Sequence, residues 1–161
     1  MKVRVGTGLD VHPFGEEDER PLVLAGVEVA GAPGLAGHSD ADVVAHAITD
    51  ALLGATARGD LGERFGVDEP EVAGAASLGL LATVVAELAA DGWRVGNLDC
   101  TVVAQRPRLA AYRAAMREAL AATCTVDPDQ VSVKFTTTDR LGSLGRGEGI
   151  ACWAAVLVER G

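Results

Sequence analysis

The run from Ile150 to Val158 is almost wholly apolar, and it constrains the fold more than any other part of the chain. Its length suits one β-strand and is too short for a membrane-spanning helix. Strands without polar alternation are typical of positions that are covered on both faces. We therefore predict a strand at Ile150–Val158 with elements packed on both of its faces.

The rest of the chain alternates between extended and helical patterns, and Asp42, three residues after Ser39, forms an arrangement like a capping box. This interleaving predicts an α/β fold, as an α+β sandwich: a single domain over residues 1–161, with one mixed sheet covered on one face by about three helices. The predicted elements are a strand at 3–11, a hairpin at 22–29, a helix from Ser39 to about Ala57, an irregular loop at 59–70, a helix at 77–91, a strand at 98–104, a helix with Pro107 in its first turn that reaches about Ala122, a strand at 131–138 and a Gly-rich turn at 141–149.

The charge balance limits the classes of partner. The chain has 14 Lys and Arg residues against 23 Asp and Glu, a formal net charge of −9. Binding to nucleic acid or to an anionic membrane surface needs clustered positive charge, and the sequence has no basic stripe. We therefore expect neither partner. Hydrophobic residues make up 48% of the chain but aromatic residues only 4%, so the core must be built from Ala, Val and Leu.

The N-terminal residues lack the uninterrupted apolar segment of a secretory signal. Cys100, Cys124 and Cys152 are far apart and lack CxxC spacing, so we predict neither a disulfide framework nor a thiolate zinc site. Cys100 and Cys152 lie in apolar runs and are expected to be buried as small hydrophobic residues. These features predict a soluble, cytoplasmic protein.

All three histidines, His12, His38 and His46, lie in the first third of the chain. Asp10 and His12 are two residues apart on a predicted strand, so they project from one face. His46 lies on the polar face of the first predicted helix. One carboxylate and two imidazoles with an open fourth position are typical of a catalytic zinc site. The spacing alone, however, favours the simpler alternative that each histidine is an ordinary surface or core residue.

Further segments contain the residue types that bind phosphate. Residues 38–40 precede a predicted helix, whose N-terminal amides and dipole suit an anion, although Ser39 could equally serve only as a cap. Residues 106–108 place two arginines where a strand passes into a helix. Residues 136–139 offer hydroxyls, amides and a carboxylate for a phosphate and its divalent cation, although threonines also simply suit a strand end. Residues 145–149 match neither phosphate-binding glycine motif, so we expect a tight turn at a packed interface, across which Arg146 and Glu148 pair.

Seven segments match one family in order and span nearly the whole chain: residues 8–14 (GLDVHPF), 38–42 (HSDAD) continuing through His46 to 50–55 (DALLGA), 59–62 (GDLG), 97–105 (NLDCTVVAQ), 133–138 (VKFTTT), 141–142 and 145–152 (GRGEGIAC). Together they resemble the 2-C-methyl-D-erythritol 2,4-cyclodiphosphate synthase family of the non-mevalonate isoprenoid pathway. Each motif alone is weak evidence, but the ordered set is highly specific.

The resemblance implies an enzyme that acts on a small cytidine diphosphate substrate, 4-diphosphocytidyl-2-C-methyl-D-erythritol 2-phosphate. The 2-phosphate oxygen would attack the β-phosphorus and expel CMP, which leaves a cyclic diphosphate. The resemblance also implies a homotrimer with active sites between neighbouring subunits. One Zn²⁺ per site and a second divalent ion, Mg²⁺ or Mn²⁺, would neutralise charge on the phosphates.

Site residues follow from the same resemblance. Asp10, His12 and His46 would bind zinc, and Asp139 would bind the second ion. His38 and Ser39 would contact the phosphorylated erythritol, and Asp60 and the Gly62 backbone would hold its hydroxyls. The remaining substrate contacts would come from Ala104, Pro107, Arg108 and Leu109, which line the cytidine pocket, and from Thr136, Thr137 and Asp139 at the phosphates. Within this set, His38, Asp60 and Thr137 are the expected catalytic residues.

The chain departs from the family pattern at Val67, Asp139, Arg108 and Ser143, where the family usually has Asp, Glu, Lys and Phe. None of these positions is a predicted zinc ligand. Two other functions use the same residues: a zinc hydrolase that activates water at the Asp/His/His site, and a trimeric ligand-binding protein that has lost catalysis. The products formed from the cytidine diphosphate substrate distinguish them.

Overall fold

The computed structural model describes residues 1–15, 20–37, 39–66 and 76–161. Its strands are β1 (Lys2–Pro13), β2 (Pro21–Leu24), β3 (Val27–Pro33), β4 (Trp93–Val103), β5 (Val131–Thr136) and β6 (Gly149–Arg160). Its helices are α1 (Val43–Ala55), α2 (Leu61–Phe65), α3 (Ser77–Ala90), α4 (Arg113–Cys124) and α5 (Gly142–Gly145), with single 3₁₀ turns at Ala110–Tyr112 and Pro128–Gln130.

Four strands form one mixed sheet in the order β1-β6-β4-β5. The central strand β6 runs antiparallel to both β1 and β4, whereas β4 and β5 are parallel. Strands β2 and β3 form the predicted hairpin apart from this sheet. The fold class predicted from the sequence is therefore confirmed: one mixed sheet with helices.

The three long helices, α1, α3 and α4, pack on one face of the sheet and enclose the core. The core consists mostly of Ala, Val and Leu, as the composition requires. On β6, Cys152, Ala154 and Val156 point into this core and are buried. The intervening residue Trp153 is 59% exposed, so within the described chain the expectation that this strand is covered on both faces holds for one face only.

Helix α1 lies unusually close to β1, and two glycines make this possible. A Cβ added at Gly6 would overlap the carbonyl oxygen of Ala51, and one added at Gly8 would overlap that of Ala47. Both glycines share a face of β1 with Asp10 and His12, because side chains alternate along a strand. The close approach therefore brings the polar face of α1 within reach of those two residues.

The start of α1 differs from the prediction, because Asp42 rather than Ser39 caps it. Ala41 adopts a left-handed conformation (φ +56°), which separates Ser39 from the helix. The buried Asp42 carboxylate accepts the amides of Val44 and Ala45, and it also accepts two amides of the β2–β3 turn at 2.7–2.8 Å. One side chain thus fixes the helix start to the hairpin.

Other element boundaries also differ from the predictions. Helix α1 ends at Ala55 rather than near Ala57, because Ala57 is left-handed (φ +57°). The region predicted as an irregular loop contains α2, which Asp60 caps by accepting the Glu63 amide at 2.8 Å. Pro107 lies outside any helix, in the irregular segment that leads to α4. The turn at 141–149 contains α5, β4 begins at Trp93, and β5 ends at Thr136.

All three cysteines are free and buried, as predicted for Cys100 and Cys152. Within the described residues, no helix has the length and apolar character that crossing a membrane requires.

Candidate metal centre and active site

Asp10, His12 and His46 come together where α1 crosses β1. Asp10 Oδ2 lies 3.0 Å from His12 Nε2 and 3.0 Å from His46 Nδ1. The two imidazole nitrogens lie 3.3 Å apart. One atom of each side chain therefore points at a common centre. The spacing of the three residues in the sequence was compatible with this arrangement but did not establish it.

These separations fit a tetrahedral zinc ion. Zinc bonds of about 2.0–2.1 Å at tetrahedral angles place neighbouring ligand atoms about 3.3 Å apart. One carboxylate oxygen and two imidazole nitrogens are also ligand types that zinc accepts at catalytic centres, where a fourth position stays open. The donor set and its geometry therefore match the predicted metal.

Electrostatics at the centre favour an ionised carboxylate. Burial would raise the pKa of Asp10, but its hydrogen bonds to His12 and His46 outweigh this effect and hold the pKa well below its usual range. The hydrogen bond to Asp10 raises the pKa of His12. The ionised carboxylate of Asp10 thus gives the centre one negative charge that can bind a cation.

The ring of His12 is oriented by a backbone group. Its Nδ1 lies 2.7 Å from the carbonyl oxygen of Ala36. Because a carbonyl can only accept, Nδ1 carries a proton, so Nε2 is the nitrogen that can lose its proton and bind a metal. His46 presents Nδ1 to the centre instead, and its Nε2 lies 3.1 Å from Ser39 Oγ and 2.8 Å from Ser77 Oγ.

The metal centre lies in a cavity of about 330 Å³, here called the metal cavity. Asp50 and Asp60 both help to build its wall: Asp50 Oδ1 accepts the Leu61 amide at 2.7 Å and so ties α1 to the start of α2. Burial raises the pKa of Asp50. The metal cavity is lined by Asp10, His12, Ser39, His46, Asp50, Asp60, Leu61, Gly62, Gly66 and Leu80.

A second cavity, of about 400 Å³, lies between the end of β5 and the segment that precedes α4. It is called the nucleotide cavity here because the resemblance predicts a cytidine pocket among its lining residues. Thr136 and Thr137 form one side, and the guanidinium of Arg113 lies over the ring of Phe135, 5.1 Å from its centroid. The nucleotide cavity is lined by Ala104, Gln105, Pro107, Arg108, Leu109, Ala110, Arg113, Phe135, Thr136 and Thr137.

The predicted site residues thus separate into two groups, and the two cavities share no lining residue. Asp139 lines neither cavity; it is exposed, and its Oδ1 lies 3.4 Å from Thr137 Oγ1. His38 and Val67 lie outside the described residues. Arg146 and Glu148 pair within one chain, with Nε and Oε1 2.5 Å apart, and both side chains are exposed.

Several residues near the metal centre were missed by the sequence analysis as site residues, among them Asp40, Ser77 and Arg20. Asp40 and Ser77 contact each other beside His46, although they are 37 positions apart in the chain. Arg20 donates to the carbonyl oxygens of Ser39 at 2.6 Å and Gly37 at 2.8 Å, and so holds the segment that leads to α1. Of these residues, only Asp40 lies in a motif that the sequence analysis singles out, the HSDAD segment at residues 38–42.

Comparison with known proteins shows the family to which the chain belongs. The profile of the YgbB family matches residues 3–159. The 2-C-methyl-D-erythritol 2,4-cyclodiphosphate synthase of Thermosynechococcus vestitus is 52% identical over 161 residues, which cover 100% of this chain and 99% of that protein.

Two solved structures are similar in fold. The bifunctional IspDF from Campylobacter jejuni superimposes with a TM-score of 0.94 and 40% identity over 99% of this chain, which spans only 43% of that longer protein. The CDP complex of IspF from Plasmodium falciparum gives a TM-score of 0.85 at 30% identity and covers 98% of this chain and 96% of that one. From its sequence, its fold and the geometry of its metal centre, the chain belongs to the YgbB family, that of the 2-C-methyl-D-erythritol 2,4-cyclodiphosphate synthases.

Proposed function

We propose that the chain converts 4-diphosphocytidyl-2-C-methyl-D-erythritol 2-phosphate into 2-C-methyl-D-erythritol 2,4-cyclodiphosphate and CMP. A 2-phosphate oxygen forms a bond to the β-phosphorus, and the bond from that phosphorus to the CMP phosphate oxygen breaks. The observation that carries the proposal is the convergence of Asp10, His12 and His46 in the metal cavity. The names of relatives that match nearly the whole chain support the same reaction.

We assign Zn²⁺ to Asp10, His12 and His46. When bound there, zinc polarises a phosphate oxygen of the substrate and offsets its negative charge. We assign a second divalent ion, Mg²⁺ or Mn²⁺, to the exposed carboxylate of Asp139. This assignment is supported by its position beside Thr137, in a segment of hydroxyl and carboxylate oxygens that suit a hard cation.

The metal cavity holds the erythritol end of the substrate in this proposal. Asp60 uses Oδ1 to cap α2, and we assign its Oδ2 to a substrate hydroxyl. The amide of Gly62, in the first turn of α2, has no partner within the helix and donates to the same end. Ser39 and His38 contact the 2-phosphate, so that the nucleophilic oxygen is oriented before it reacts.

The nucleotide cavity holds the cytidine diphosphate end. Ala104, Pro107 and Leu109 contact the base, and the exposed Arg108 offers its charge to phosphate. Thr136 and Thr137 hold the diphosphate through hydroxyl and amide groups. With His38 and Asp60, Thr137 is assigned a catalytic role, because the reaction needs positioning and charge neutralisation more than a strong base.

A homotrimer explains why the predicted site residues line separate cavities. We propose that the metal cavity of one subunit faces the nucleotide cavity of its neighbour. The open face of the sheet supports association, because it exposes Val5 (67%), Leu9 (60%) and Trp153 (59%). Covering this face with a neighbouring subunit would bury the second side of β6.

A cytoplasmic location is also part of the proposal. Three buried free thiols suit a reducing compartment, and the acidic surface gives no support for a nucleic-acid or membrane partner.

Phosphorus NMR tests the reaction directly. We expect purified protein with Zn²⁺ and Mg²⁺ to convert the substrate into a cyclic diphosphate and CMP in equal amounts. Linear phosphates alone would instead identify a zinc hydrolase. Binding of CDP without turnover would identify a ligand-binding protein.

A further inference from the structure

The second ring nitrogen of His46 contacts a buried serine that the reaction does not use. Its Nε2 lies 2.8 Å from Ser77 Oγ, the side chain of the first residue of α3. Ser77 has 0% exposure and does not line the metal cavity, so it cannot touch a substrate there. Any effect of Ser77 on the reaction must therefore pass through His46.

Asp40 determines the direction of the hydrogen bonds at Ser77. The Ser77 amide donates to Asp40 Oδ2 at 3.1 Å, and the Ser77 hydroxyl donates to Asp40 Oδ1. A carboxylate can only accept, so the single hydroxyl proton of Ser77 is committed to Asp40. Ser77 Oγ can then only accept from His46, which places the imidazole proton on Nε2 and leaves a lone pair on Nδ1.

Ser39 cannot impose this tautomer, although its Oγ also lies 3.1 Å from His46 Nε2. Ser39 Oγ accepts the Ala41 amide, so its own proton stays free to rotate toward Ser77, 3.1 Å away, or toward the metal cavity. A freely rotating hydroxyl can either donate to or accept from an imidazole. Ser77 alone is held in one role.

We propose that Ser77, held by Asp40, is a positioning residue for the metal centre, which fixes the ring of His46 in the tautomer that directs Nδ1 at the metal. This inference rests on the zinc site proposed above. His12 receives the equivalent support from the carbonyl of Ala36. The difference is that the Asp40–Ser77 pair joins the segment before α1 to the start of α3, so the packing of α3 is linked to metal binding.

Zinc affinity is the first test, measured by competition with a chromophoric chelator on the full chain. We expect Ser77→Ala to weaken zinc binding about 10- to 100-fold, the range typical of lost support to a ligating histidine. Asp40→Asn keeps the shape of the side chain but has one accepting oxygen, and it should weaken binding in the same direction. Thr83→Ala, which removes an exposed hydroxyl from the same helix, should leave the affinity unchanged.

The tautomer of His46 is the second test, and it needs no metal and no activity. In metal-free protein the Asp10 carboxylate, 3.0 Å from His46 Nδ1, also attracts a proton to that nitrogen, so the comparison is made in an Asp10→Ala background. Long-range ¹H–¹⁵N NMR should show the proton of His46 on Nε2 in Asp10→Ala, and a mixture of tautomers when Ser77→Ala or Asp40→Asn is added. Circular dichroism of each variant establishes that it folds. If Ser77→Ala does not fold, the zinc affinity and the His46 tautomer of Asp40→Asn test the proposal instead.

The two proposals fail in distinguishable ways. If His46→Ala binds zinc as tightly as the wild type does, the zinc site itself is wrong. If His46→Ala loses zinc while folded Ser77→Ala and Asp40→Asn keep wild-type affinity and leave the tautomer of the Asp10→Ala background unchanged, the positioning role is wrong and the zinc site stands.

Discussion

His46 is the one proposed zinc ligand that comes from a helix, and its replacement tests the metal centre with little risk to the fold. Its side chain is 12% exposed and points away from the apolar side of α1. We expect His46→Ala to reduce the zinc content from about one ion per chain to nearly none, because two ligands do not complete a zinc site. Elemental analysis of dialysed protein measures this loss.

Asp139→Ala is the matched control, since Asp139 lies outside the metal cavity. It should keep the full zinc content, and both variants should keep the wild-type circular dichroism spectrum. Full zinc occupancy in His46→Ala would remove His46 from the ligand set.

Cys124 illustrates how burial controls reactivity at a single residue. Burial raises the pKa of its thiol to about 12, so at pH 8 only about 1 in 10⁴ molecules carries the reactive thiolate. We expect iodoacetamide to leave Cys124 unmodified in native protein and to alkylate it in guanidinium, as measured by mass spectrometry. Rapid native labelling would show that α4 opens readily.

At the residue scale, the sequence predicts best where local periodicity decides. Asp10 and His12 share a face because a strand repeats every two residues, and His46 lies on the polar side of a helix. Ser77 and Asp40 could not be predicted in the same way. A serine beside a helix start is an ordinary cap, and its contact with His46 depends on how α3 packs, 31 positions along the chain.

Helix α1 and strand β1 carry the metal ligands between them, so their separation determines the geometry of the centre. In Gly8→Ala the added methyl would overlap the Ala47 carbonyl oxygen and force α1 away from β1. We expect a loss of about 3 kcal/mol in the free energy of unfolding, together with weaker zinc binding as His46 moves away from Asp10. Urea denaturation and the chelator assay measure the two effects.

Gly79→Ala is the corresponding control. Gly79 lies on the exposed side of α3 with open space around it, so the substitution should stabilise the chain by about 0.5–1 kcal/mol. A similar gain in Gly8→Ala would contradict the close packing of α1 on β1.

At the element scale, the apolar run in β6 correctly predicts a strand, and the periodicity correctly predicts the three long helices. The errors concern features that local patterns do not encode. Helix α2 has only a few residues and depends on Asp50 and Asp60 for its first amides. Pro107 suits a first helical turn, but α4 begins only at Arg113, and Leu109 of the irregular segment between them packs into the core.

The proposed trimer makes each active site the joint product of two subunits, and this has a measurable consequence. His46→Ala damages only the metal cavity, and a double variant, Arg108→Ala with Thr137→Ala, damages only the nucleotide cavity. Each should be inactive alone. Co-expression at equal levels should restore about one quarter of the wild-type activity per site, because half of the chains supply each intact cavity to a random neighbour.

The control is co-expression of two differently tagged copies of the same variant, which should restore nothing. If mixed trimers form, as pull-down through one tag shows, and yet remain inactive, both cavities must serve their site from within a single chain.

The strand order also bears on how the chain is synthesised. β6, at residues 149–160, lies between β1 and β4, which the ribosome makes far earlier. Neither of those strands can pair with its central partner until β6 has left the ribosome tunnel, although synthesis at about 5–20 residues per second has by then exposed most of the chain. The sheet should therefore close only after β6 emerges, and nascent chains that lack it should remain sensitive to protease and dependent on chaperones.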